Sequence, residues 1–148
     1  MQLDAEFGGL ITALEAESLE YAVAGGLAVA IWGAPRATTD IDLLIRRGDL
    51  ARVLILSRRL GFDIIADPMK FSDGTELVRA TKFQDGEQLT LDLLLIDEAH
   101  DYWQTRQRLP FGSGMLSVVS RDTLIQMKAS AARPQDIADI AKLREIDR

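Results

Sequence analysis

An α/β (α+β) domain, a mixed β-sheet packed with helices, is predicted by three features of the sequence. Helix-spaced and strand-like apolar patterns alternate along the chain. Two strand-like runs meet at an Asp85-Gly86 hairpin signal in the middle. Gly or Pro punctuates most changes of pattern. With 148 residues, no internal repeat and no long linker, one domain over residues 1–148 is expected.

The elements follow in order. Residues 4–18 carry Phe7, Leu10, Ile11 and Leu14 at helical spacing, so an amphipathic helix opens the chain. Residues 19–24 read as a short strand ending at Gly25-Gly26, and 27–32 as a short helix closed by Gly33 and Pro35. An Ile- and Leu-rich strand is expected over 40–45. A helix over 49–60 presents Leu50, Val53, Leu54 and Leu60 and stops at Gly61. A strand at 62–66 precedes the hairpin of 77–83 with 88–96. The spacing then predicts a helix over 99–109, a strand over 116–119 and a helix capped by Ser120 that runs through Lys128. Pro134 begins a final helix with Ile137, Ile140 and Ala141 inward.

Composition excludes several chemistries. The chain has no cysteine and a single histidine, His100, so thiolate and multi-histidine zinc sites are ruled out. A bound metal would be a hard cation on carboxylates. The net charge of −6 argues against broad non-specific nucleic-acid binding. The acidic N-terminus and the absence of an apolar run near ~20 residues predict a cytoplasmic protein with no membrane partner.

The informative stretch runs from Tyr21 to Ile45. Residues two apart on a strand share a face, so Asp40 and Asp42 project together while Ile41, Leu43 and Ile45 face the core. Strands disfavour aspartate and like charges repel, which calls for compensation, most simply by a divalent cation. Asp92 lies inside the apolar run Leu89-Thr-Leu-Asp-Leu-Leu-Leu-Ile96, where an unpaired charge is costly. If the two strands are neighbours, Asp92 completes a three-carboxylate cluster suited to Mg²⁺. A strand-end aspartate bonded to backbone amides is the alternative for Asp92. Gly25-Gly26, between a strand and a helix start, lets backbone amides approach phosphate, or is an ordinary tight turn.

Gly25-Gly26, thirteen residues, Asp40-x-Asp42 and the later Asp92 together resemble the DNA polymerase β-like nucleotidyltransferase superfamily. The pattern is most similar to small bacterial members: abortive-infection and toxin-type proteins, and antibiotic-modifying enzymes with Gly-Gly. Arg36-Ala-Thr38-Thr-Asp40-Ile-Asp42 resembles that subgroup, as does the tail Ser120-Arg-Asp-Thr-Leu-Ile-Gln-Met-Lys128 with Arg133-Pro-Gln-Asp136-Ile-Ala-Asp139. The resemblance covers about residues 19–140. Many members carry serine where Gly26 stands, and Gly26 offers only its amide.

The resemblance implies transfer of a nucleoside monophosphate from an NTP, ATP among the candidates, to an acceptor, with Mg²⁺ or Mn²⁺ as cofactor. Asp40, Asp42 and Asp92 would be the catalytic, metal-binding residues, Asp92 sharing the metal or taking the acceptor's proton. Gly25 and Gly26 would cradle phosphates, Arg36 and Lys128 would contact them, and Thr38 would orient the loop. The acceptor stays open among a small molecule, an RNA end and a protein. A toxin–antitoxin role with a protein partner, and a homodimer completing the acceptor wall, are further implications. The competing readings are a catalytically inactive interaction module of the same fold and an unrelated α/β domain. Bland alternatives stand beside several residues: a loop or helix-surface charge for Arg36 and Lys128, an Arg133–Asp136 pair capping the last helix, a surface or capping His100, and core positions for Trp32 and Trp103.

Overall fold

A computed structural model describes residues 1–34 and 37–146. Helix α1 (Leu3–Ala16) buries the expected stripe of Phe7, Leu10, Ile11 and Leu14. Strand β1 (Ala22–Ala24) turns directly into α2 (Gly25–Ile31), and β2 (Asp40–Arg46) follows. One 3-10 turn (Arg47–Asp49) leads into α3 (Leu50–Arg59), whose Val53 and Leu56 are buried. Two two-residue strands, β3 (Ile64–Ile65) and β4 (Met69–Lys70), precede the long hairpin β5 (Glu76–Gln84) and β6 (Glu87–Ile96). Its turn residues Asp85 and Gly86 both have positive φ, as a two-residue hairpin turn that follows the sheet twist requires.

The expected helix over 99–109 is corrected. Only α4 (Asp101–Gln104) is helical, capped by His100, whose Nδ1 accepts the Tyr102 N–H at 3.0 Å. The chain then turns into β7 (Gln107–Phe111), which pairs with β8 (Gly114–Val118). Pro110 is tolerated because β7 is a sheet edge, where a missing donor costs no ladder bond. Helix α5 (Arg121–Ala131) starts where Ser120 Oγ accepts the Thr123 N–H, and α6 (Pro134–Glu145) has proline in its first turn.

Among the described residues the strands form one eight-stranded sheet in the order β3-β5-β6-β2-β1-β8-β7, with β4 on β5. The β2–β6 and β1–β8 pairs are parallel and the others antiparallel, so the sheet is mixed as expected. Register sorts the side chains by face. Ile41↔Leu91↔Ala80 and Leu43↔Leu93↔Val78 align across β2, β6 and β5, and all six are buried in one cluster with the α1 stripe. The alternate positions of these strands, Asp42, Asp92 and Arg79 among them, stand on the other face. Trp32 and Trp103 are core residues, and Trp32 Nε1 donates to Val119 O at 2.9 Å. No described helix is long and apolar enough to cross a membrane.

Candidate active site

A cleft of about 580 Å³ opens on that second face and takes in Gly25, Gly26, Thr38, Asp40, Asp42, Arg79, Asp92, Lys128 and Arg133. Its floor is a row crossing four strands: Ala24↔Asp42, Asp42↔Asp92 and Asp92↔Arg79. Asp40 lies on the same face two residues before Asp42, level with Thr90. The parallel β2–β6 pairing thus puts Asp42 directly beside Asp92, and these strands supply both.

The glycine turn abuts this row. Gly25 has φ +64°, and a Cβ built there would stand 2.1 Å from Asp42 Oδ2. Only glycine lets the β1–α2 turn come this close to the carboxylate. Thr38 sits on the loop into β2, where the Asp40 N–H points to its Oγ1 at 3.5 Å, a weak contact that tethers the loop. Arg36, expected to contact phosphate, lies outside the described residues.

The carboxylates feel one another. Burial, then the charges of Asp92 and Asp40, push the Asp42 carboxyl up to about 6, against the milder pull of Lys128 and Arg133. Asp92, nearly buried, is gripped by Arg79: Nε donates to Oδ1 at 2.8 Å and Nη2 to Oδ2 at 3.1 Å. This fork–fork pair is what compensates the charge in the apolar strand. The backbone-amide alternative for Asp92 is therefore not what the structure adopts.

The far wall is an ionic knot between α5 and α6. Lys128 is buried, with Nζ 3.3 Å from Asp136 Oδ1 and 3.0 Å from Asp139 Oδ2. Arg133 donates to Asp136 from its backbone N at 3.1 Å and from Nε at 2.7 Å, closing the start of α6. The helix-surface alternative for Lys128 is excluded, and the expected Arg133–Asp136 pair is present. Lys128 faces the cleft while its ammonium neutralises two carboxylates.

Arg79 had no place in the sequence reading, although the hairpin carries the signal for it. Counting back five residues on each strand from the turn-flanking pair Gln84↔Glu87 arrives at Arg79↔Asp92. The donor set Asp40, Asp42 and Asp92 is all oxygen and anionic, which fits a hard divalent cation. Among the described residues, however, no three carboxylates or imidazoles are gathered closely enough to hold a metal ion as they stand.

No protein-family model matches the sequence, and no curated protein matches it significantly. Solved structures do match. A candidate nucleotidyltransferase from Thermotoga maritima aligns over 92% of this chain and 88% of its own at 15% identity and TM-score 0.64. The antibiotic-resistance factor ANT(2″)-Ia, solved with adenylyl-2″-tobramycin, aligns over 93% and 84% at 16% identity and TM-score 0.62. JHP933 from Helicobacter pylori aligns over 93% and 62% at 17% identity and TM-score 0.56. The sheet order described above is therefore that of a nucleotidyltransferase fold.

Proposed function

We propose that this chain is a divalent-metal-dependent nucleotidyltransferase that moves an NMP from an NTP to a hydroxyl-bearing acceptor. The observation that carries the reading is the row Asp42–Asp92 beside Gly25, with Asp40 on the same face. Asp40, Asp42 and Asp92 would hold Mg²⁺ or Mn²⁺, which would supply charge neutralisation and alignment for the triphosphate. The Gly25 and Gly26 amides, with Arg36 and Lys128, serve the phosphates, and Thr38 steadies the loop that carries Asp40.

The order of the strands supports a direction for the reaction. Gly25 and α2 lie on the β1 flank of the carboxylates and Arg79 on the β5 flank. With the triphosphate on the glycine side, the acceptor approaches from the Asp92 side. Its oxygen attacks the α-phosphorus and the bond to the bridging oxygen breaks. Pyrophosphate leaves, and Asp92 receives the hydroxyl proton. A role as the toxin of a toxin–antitoxin pair and a cytoplasmic setting belong to the same proposal.

The test is transfer of label from each α-labelled NTP to cell extract, purified tRNA and a panel of hydroxylated small molecules. The wild-type chain is expected to label an acceptor class with Mg²⁺ or Mn²⁺, and Asp42→Ala to lose at least a thousandfold in rate. Equal labelling by both proteins would replace this reading with that of an inactive interaction module.

A further inference from the structure

Arg79 is the one cleft cation on the acceptor flank among the described lining residues, and it is spent on Asp92. We propose that Arg79 is an internal competitor of the metal: in the metal-free protein it holds Asp92 away from Asp40 and Asp42, and cation uptake requires that it let go. The proposal rests on reading Asp40, Asp42 and Asp92 as a metal site, and adds the residue that controls its assembly.

Three observations carry it. First, both Asp92 oxygens accept from one guanidinium, so a lone pair on each is occupied and the carboxylate is held in one orientation. Second, the register sets Asp92 beside Asp42, yet no three described carboxylates gather into a metal-holding group. Backbone geometry therefore brings the strands together while the side chain of Asp92 is committed to β5. Third, the partners differ in freedom. The Arg79 side chain is 46% exposed and that of Asp92 only 9%, so the arginine can swing into solvent while the aspartate stays in place.

Charge makes the exchange workable. Without any cation, three neighbouring carboxylates repel, and Arg79 offsets part of that repulsion. A divalent ion supplies twice the charge and can bridge several carboxylates, so it displaces a half-exposed monovalent partner. A purely structural counter-ion would stabilise the fold without altering metal affinity. A supporting hydrogen-bond partner would strengthen metal binding, and its loss would weaken it. Competition has the opposite sign.

The experiment is Mn²⁺ titration of the nucleotide-free protein, following the free-ion paramagnetic resonance signal. The proteins are wild type, Arg79→Met, Asp92→Asn and the double variant, each checked for folding by circular dichroism. Arg79→Met keeps the aliphatic stem and removes the competitor, so Mn²⁺ should bind roughly five- to tenfold tighter. Asp92→Asn should change wild-type affinity less than about twofold, but should erase the gain in the Arg79→Met background. Should Arg79→Met not fold, Arg79→Gln tests the same sign. Unchanged or weaker Mn²⁺ binding by a folded Arg79 variant overturns the proposal and leaves the transferase reading standing. Absence of Mn²⁺ binding in wild type and Arg79→Met alike overturns both. Because no turnover is measured, failure to find an acceptor has no bearing on the outcome.

Discussion

Gly25 and Asp42 occupy space that cannot be shared with one further carbon: a methyl on Gly25 would meet Asp42 Oδ2 at 2.1 Å and Cγ at 2.8 Å. The left-handed backbone at Gly25 adds strain for any L side chain. The glycine turn and the Asp42 carboxylate are thus one packed unit.

Gly25→Ala is expected to destabilise the protein by about 2–4 kcal/mol, from backbone strain and overpacking together. Urea unfolding measures it. In the Asp42→Ala background the cost of Gly25→Ala should shrink, because the clashing Oδ2 and Cγ are gone, while the strain remains. Equal costs in both backgrounds would show that the turn relaxes away from Asp42.

Asp42 makes the metal-free protein prefer mild acid. Its folded carboxyl titrates near 6 against an ordinary 3.8, so above pH 6 the fold carries a charge it would rather shed. Lowering the pH from 7 towards 4 protonates the folded form first and adds stability, at up to about 1.4 kcal/mol per pH unit within the window. Below it the trend reverses. Glu15 is held low by Arg108, and Asp136 by bonds from Arg133 and Lys128 that overcome its burial. Both lose stabilising charge there. Thermal melts from pH 7.5 to 4.5 in a chelator should show the rise, and Asp42→Asn should flatten it and melt higher at pH 7.

Lys128→Ala should unfold the α5–α6 end before it says anything about phosphate. Its removal leaves Asp139 and the inner oxygen of Asp136 buried without their ammonium. Breaking a buried ion pair from one side costs about 3–5 kcal/mol. Replacing all three with apolar residues of similar volume should recover much of that loss. Nucleotide binding by a stable triple variant would then isolate the phosphate role of Lys128.

Mg²⁺ with an NTP should raise the melting temperature, since a ligand at ~100 times its dissociation constant adds about 2.7 kcal/mol. For a domain of this size that corresponds to roughly 5–10 °C. Asp42→Asn should lose most of the shift, as the cation has no firm hold without that carboxylate. An unchanged melt of wild type at millimolar metal and nucleotide would count against nucleotide binding.

Asp40, Asp42 and Asp92 stand out in the sequence because each puts a charge in a strand, and the structure brings all three to one cleft. Arg79 was not, because an arginine alternating with Val78 and Ala80 reads as an ordinary solvent-facing residue. Its partner becomes visible only when the hairpin register is counted out. Lys128 was expected to contact phosphate, with a helix-surface charge as the alternative, and nothing local marks the burial that α6 imposes on it. Strand β7 was missed for a similar reason. Tyr102, Trp103 and Leu109 mimic helical spacing, whereas the Gly112-Ser-Gly114 turn and pairing with β8 decide the conformation. The long elements around the Leu-rich β6 were readable from periodicity alone; the strand expected at 62–66 is present as the two-residue β3, and the unexpected β4 pairs with β5.

The row from β1 to β5 also works as a ruler. Three steps between neighbouring strands, each about 4.8 Å, set the Gly25 flank about 14 Å from the Arg79 flank. Backbone hydrogen bonds hold that width, so side-chain substitutions cannot rescale it. The address of each group along the ruler is read by counting residues: one extra residue in β6 before Asp92 would turn that carboxylate into the core and bring a leucine up in its place. The β4–β5 connection can lengthen without disturbing the count between Arg79 and Asp92, whereas a residue added to the two-residue β5–β6 turn alters the geometry that sets it. An insertion within β2 or β6 shifts the parallel register that sets Asp42 beside Asp92, whereas an exchange of residues leaves it in place.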